Sequence, residues 1–354
     1  MALLSTFVTP TVVESSPDAM PDTWHAIAER CRSNGVACLL ERVTGDGESA
    51  TLFPASDVVH VMHPPRSFNP SHAKRGLRTL ERVLASLDAS SATWQRVTNV
   101  DDLRALGGPP DARIGIVLGL SGSTVVEDDP SLLEIYSRLG VRVFGIVHEH
   151  ANAAAGSYAV DASHGLTLLG ERLVRTAAKN GMLIDVANLS RPALQDVLAT
   201  VDLPLLASAG NPRALVDHPA NLDEDVLREL AKRGGLIGIS FQPERLSRDG
   251  RATTNLIADA IERLVECVGI DHVGVGFAIP DGPTYPWHVR DRLLGVAVDE
   301  RVGDQRSQGI DTAAATLRML ARRGYDAAAL EKLAMTNLQR VAAAVWPQDR
   351  TLRG

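Results

Sequence analysis

Residues 113–148 read RIGIVLGLSGSTVVEDDPSLLEIYSRLGVRVFGIVH. Two short apolar runs, 113–120 and 141–148, flank an amphipathic stretch from Ser131 to Leu139. Strand, helix and strand in that order make a parallel crossover unit. Both runs are apolar at nearly every position rather than at alternate ones. A strand with that pattern is covered on both faces, as in a sheet enclosed by helices.

The same unit repeats outward along the chain. Further strand candidates are FVTPTVV (7–13), GVACLLERV (35–43), MLIDVAN (182–188), LPLLASA (203–209), GLIGISF (235–241) and DHVGVGF (271–277), which brings the total to eight. The pattern predicts helices over Leu166 to Asn180 with Gly181 as the cap, over DEDVLRELAK before Gly234, over 253–269, and two or three within 311–345. Eight such strands with interleaved helices imply an α/β fold, a (β/α)8 TIM barrel. Residues 44–66 and 278–310 break the rhythm and read as long loops. Nothing divides the chain, so 1–354 is expected to form a single domain, which a barrel accommodates at this length.

Hydrophobic residues make up 45% and aromatics only 4%, so aliphatic side chains must fill the core. A formal charge of −7 argues against a nucleic-acid partner, which needs a basic face. Cys31, Cys38 and Cys267 form neither a paired framework nor a CxxC motif, and are expected reduced in a cytoplasmic protein. No leader, membrane span or anchor signal is read, so no membrane partner is expected. No GxGxxG follows a strand, and neither a P-loop nor a GxSxG elbow occurs. The GLSGS run at 119–123 offers a backbone nest for a phosphate.

LLEIYSRLGVRVFGIVHE, GLTLLGERLVRTAAKNGMLIDVAN, LPLLASAGNPRALVDHPANLDEDVLRELAKRGGLIGISF, VGIDHVGVG and LARRGYDAAALEKLAMTNLQRV resemble the membrane (renal) dipeptidase family in order and spacing. With weaker similarity at 35–122 they cover about three quarters of the chain. The resemblance implies a metallo-dependent-hydrolase-like barrel and a peptidase with two zinc ions. Such a pair, about 3.5–4 Å apart, activates a bridging water and polarises the peptide carbonyl.

The residues that would hold the zinc are replaced here. VVESSPDAMP stands where the family's first strand ends in His-x-Asp, and it has no histidine. Ser121 replaces the bridging glutamate, Asn188 one histidine and Ala209 another. Ala220 replaces the substrate arginine, and Ala278 an aspartate, with Asp281 nearby but out of register. Serine, asparagine and alanine do not substitute for carboxylate and imidazole as tight zinc ligands. His148 matches the family histidine that contacts substrate.

The expected cofactor is therefore none, although zinc is the family's metal. His148 is the catalytic candidate, with a pocket of Ser121, Asn188, Ala209, Asn211, Ala278 and Asp281. The expected function is binding or metal-free transformation of a small amino-acid-derived, peptide-like molecule. One alternative is a non-catalytic partner or regulator. Another is a dipeptidase with a mononuclear site on His148 and His150. The family's habit implies a homodimer.

Overall fold

The computed structural model describes residues 28–29, 31–43, 71–106, 113–148, 151–159, 162–249, 253–275 and 305–347. Its strands are β1 (Cys38–Val43), β2 (Trp94–Val97), β3 (Ile114–Ser121), β4 (Val141–Gly145), β5 (Leu183–Asp185), β6 (Leu206–Ala207), β7 (Leu236–Gly238) and β8 (Val273–Gly274). All pairings are parallel. The order is β1-β3-β4-β5-β6-β7-β8, with β2 paired to the first half of β3. Helices α1 (His72–Ala89), α2 (Val100–Arg104), α3 (Leu132–Arg138), α4 (Leu168–Lys179), α5 (Arg191–Thr200), α6 (Glu224–Lys232), α7 (Pro243–Leu246) and α8 (Thr254–Val268) lie between the strands. Then come α9 (Gln305–Arg322), α10 (Ala327–Glu331), a π turn (Lys332–Thr336) and α11 (Asn337–Val345).

Seven of the eight expected strands are present, and the eighth, 7–13, lies outside the described residues. Among the described residues no pairing joins β8 to β1. Among the described residues the sheet is an open parallel half-barrel, where a closed barrel was expected. β2 was not foreseen, because in WQRV only Trp94 and Val97 are buried and four residues give too short a pattern. Nor was α1, although its buried Gly76, Leu80, Val83 and Leu87 repeat at helical spacing behind the Ser71 cap. α9 begins at Gln305, so the irregular reading of 278–310 fails at its last six residues. The polar run QRSQG has no apolar periodicity from which a helix could be read. The expected loop at 44–66 lies outside the described residues.

Successive strand residues enter two separate cores, as the alternation of side chains across a strand requires. Ile116, Leu118 and Leu120 of β3 pack toward the helices with Phe144, Ile184 and Ile237. Val117 faces the other way with Leu40, Val143, Leu183, Leu206 and Leu236, where Leu338, Val341 and Trp346 join them. All eight residues of β3 are buried. Each such aliphatic side chain contributes roughly 1.5–3 kcal/mol. Gly181 and Gly234 follow α4 and α6 with φ of +63° and +76°, the left-handed end that glycine adopts without steric cost.

Arginines, one of them buried, tie the opposite rim. Arg142 is 3% exposed. Its Nε donates to Thr98 O, and its Nη1 donates to Ser137 O and Val141 O, both at 2.8 Å. Burial, then the charge of Arg96, lower its pKa to about 10, so it stays cationic at neutral pH. Arg233 bonds Leu198 O and Val201 O in the same way, and Arg340 bonds Gly234 O, Gly235 O and Asp271 O. These donors bond carbonyls at helix ends, turns and strand starts.

Cys31 and Cys38 are buried, and burial is the main cause that raises both thiols to about 12, so they are protonated and unreactive. Among the described residues no helix is long and apolar enough to cross a membrane. Arg142→Met is expected to lower stability by about 2–4 kcal/mol, because it removes three hydrogen bonds made by a buried charged donor. Urea unfolding measures it; an unchanged midpoint would show that other donors replace the guanidinium.

Candidate functional site

The polar residues of interest gather where the strands end. Ser121 closes β3, and the chain beyond β4 carries His148. Two backbone bonds align these rims: Gly122 N–H donates to Gly145 O at 3.0 Å, and Ser123 N–H to Ile146 O at 2.9 Å. Ser121 is buried, and its Oγ lies 2.7 Å from His148 Nδ1. Because both N–H groups are engaged, the phosphate nest expected at 119–123 is not formed by them.

Asn188 follows β5 with φ +66°, a conformation asparagine tolerates better than most residues. Its Nδ2 donates to His148 O. Its Oδ1 accepts from Arg245 Nη2 at 3.0 Å. Asn188 therefore joins the His148 rim to the loop after β7.

The neighbouring polar groups hold the frame. Asp185 accepts from Ala187 N and Ser208 N, each at 3.0 Å, and from Ser208 Oγ. Asn211 is fully buried, and both ends of its amide bond the backbone of Ser240. Asn211 was expected to line the pocket; its side chain instead joins the ends of β6 and β7. Ala209 sits half-buried on the β6 rim between Ser208 and Gly210. Ala278, Asp281 and His150 lie outside the described residues.

The sequence reading did not identify Arg245 or Tyr158. Arg245 is 3% exposed. Its Nη2 also meets Tyr158 OH at 3.4 Å, and its Cζ lies 5.2 Å from the centre of that ring. The His218 ring is tilted against that of Tyr158, 5.8 Å between centroids. His218 Nδ1 accepts from Ala220 N–H at 3.1 Å, which puts the proton of the neutral ring on Nε2. Burial, then the charge of Arg245, hold the His218 pKa below its ordinary value. The one sequence signal was a charged residue, in QPER, just past an apolar strand in a βα loop.

A zinc pair needs carboxylates and imidazoles at these strand ends. At the described positions the donors are a serine already bonded to His148, an asparagine whose oxygen faces a guanidinium, and an alanine. Among the described residues, no three His, Cys, Asp or Glu side chains are grouped to hold a cation. These residues do not fit the pair. The ligand positions on the expected first strand and after β8 lie outside the described residues.

A sequence profile described as Membrane dipeptidase (Peptidase family M19) matches residues 12–291. A protein of Schizosaccharomyces pombe described as an uncharacterized dipeptidase is 29% identical over 182 residues, 49% of this chain and 44% of its own length. The dipeptidase tcpJ of Claviceps purpurea is 30% identical over 178 residues, 49% of this chain and 42% of its own length. The match thus spans less than half the length of these two relatives. Among solved structures, a metallopeptidase of Rhodobacter sphaeroides bound to a phosphinate mimic of the dipeptide L-Ala-D-Ala superposes with a TM-score of 0.71. It is 17% identical over 97% of this chain and 100% of its own, a likeness of fold.

Arg245→Met is expected to raise the pKa of His218, since removing a neighbouring cation favours imidazolium. An NMR titration of His218 measures it; an unchanged or lower value would show that the two groups are not coupled. The folded pKa lies below the ordinary 6.5. His218 therefore supports the fold above about pH 6.5, and that support is lost as pH falls through the folded value.

Proposed function

The chain belongs to the membrane dipeptidase family, and on that premise we propose that it binds or transforms a small amino-acid-derived molecule without the family's zinc pair. His148 acts as the general acid or base. The observation that carries this reading is the 2.7 Å contact between Ser121 Oγ and His148 Nδ1. A glutamate in place of Ser121 would be a carboxylate that only accepts, and would serve as a metal ligand. A serine hydroxyl both donates and accepts. When Ser121 donates to Nδ1, the imidazole carries its proton on Nε2 and can act as an acid. When Nδ1–H donates to Ser121, Nε2 holds the lone pair and can act as a base. Ser121 thus positions the ring in either tautomer without a metal.

The guanidinium of Arg245 beside Asn188 supports the same reading, because a fixed cation opposes the binding of a divalent ion there. The phosphinate dipeptide mimic bound by the Rhodobacter relative supports the amino-acid-derived class. Closure of the sheet into a full (β/α)8 barrel is part of the proposal, supported by the fold likeness over 97% of the chain. A homodimer and a cytoplasmic location are proposed on the family precedent and the cysteine chemistry. A second reading, a non-catalytic partner of an active homologue, draws on the internal bonds that engage Asp185, Asn188 and Asn211.

The test uses protein purified without chelator. Elemental analysis is expected to find well under one zinc per chain. A panel of dipeptides and N-acyl amino acids is then assayed with and without a zinc chelator. Turnover should survive the chelator and fall roughly 10²–10⁴-fold in His148→Ala. Two zinc ions per chain together with chelator-sensitive dipeptide hydrolysis would falsify the proposal.

A further inference from the structure

The cluster around Arg245 contains a buried charge without a counterion among the described residues. Its Nη2 donates to Asn188 Oδ1 and Tyr158 OH, both neutral. Its Nε and Nη1 are buried and have no hydrogen-bond partner among the described residues. No carboxylate forms an ion pair with it among the described residues. A guanidinium in this state is costly unless an anion completes its shell.

The side chain is also held in place. Its backbone carbonyl accepts from Asn221 Nδ2 at 3.0 Å and from Asn211 Nδ2 at 3.4 Å, and both asparagines are buried. One face of the guanidinium stacks on Tyr158. A cation fixed from both ends loses little further entropy when its remaining N–H donors gain a partner, the condition for tight recognition. Asn221 directly follows Ala220, the position where the resembling family carries its substrate arginine. The bond from Asn221 places Arg245 next to that position, on a different loop.

We infer that Arg245 is the receptor for a carboxylate of the ligand, with Tyr158 stacking on the guanidinium and Asn188 joining the receptor to the His148 rim. This rests on the proposed function, and names its substrate class as free acids rather than amides or esters. A planar carboxylate matches the guanidinium fork and returns the missing negative charge. The neutral His218, with its proton on Nε2, adds no second cation that would favour a more highly charged phosphate. The path from Arg245 through Asn188 to His148 sets the distance between the bound carboxylate and the bond that reacts.

The test compares N-acetyl amino acids, each paired with its carboxamide, on the full chain by thermal shift and isothermal titration, with inorganic phosphate alongside. At least one acid is expected to bind roughly ten- to a hundredfold tighter than its amide, the strength of a charge-assisted hydrogen bond. Arg245→Met should erase the difference, and its melting temperature without ligand should equal or exceed that of the parent. Arg245→Lys, which keeps the charge but not the fork, should retain a reduced preference. The inference fails if no acid binds better than its amide, if phosphate alone binds, or if Arg245→Met keeps the preference. It fails equally if Arg245→Met unfolds the protein while Arg245→Lys binds acids and amides alike, since the guanidinium is then a structural staple. His148→Ala should lose turnover yet keep the acid preference. Chelator-sensitive hydrolysis would therefore remove the proposed function and leave this inference standing.

Discussion

A parallel sheet covered on both faces must place its polar groups at the strand ends. Along β3 every side chain is buried, and alternate residues of the strands feed two different cores. The hydrophobic term that holds the sheet together therefore excludes chemistry from its middle. One rim receives the arginines that bind helix-end and turn carbonyls, Arg142, Arg233 and Arg340. The other receives Ser121, His148, Asn188 and Arg245. The arginine anchors and the His148 cluster thus lie at opposite ends of the sheet.

The two rims treat buried arginine differently. Arg142 uses its Nε and Nη1 on three carbonyls, and its charge is spread over their oxygens. Arg245 is equally buried but, among the described residues, its side chain bonds two neutral groups through one nitrogen. The contrast separates a structural cation from one arranged for a partner. It also ranks the polar residues of the rim. Asp185 and Asn211 are satisfied by backbone and by Ser208, so they build the frame, while the unsatisfied donors belong to Arg245.

Much of the fold was legible because periodicity and composition act locally. Seven strands were read from continuous apolar runs, and α4 and α6 from the glycines that follow them. β2 was not, since two buried residues in four carry no period. The start of α9 was not, since a polar helical turn looks like a loop in sequence. For the site, the resemblance pointed to Ser121, His148, Asn188 and Ala209 by position. It could not show that Asn211 joins two strand ends, because that depends on where the Ser240 backbone lies.

By itself the sequence determined the strand-and-helix alternation and the family. The first follows from residue type and spacing along the chain, the second from a profile match over residues 12–291. Only the tertiary structure decided that Ser121 meets His148 across 27 residues, and that Asn188 meets Arg245 across 57. Such contacts depend on strand register and on the loops that bring distant rims together, and neither is written in local pattern. Arg245 shows the difference most clearly. In sequence it is one charged loop residue among many, and only its burial and the full accounting of its N–H groups distinguish it.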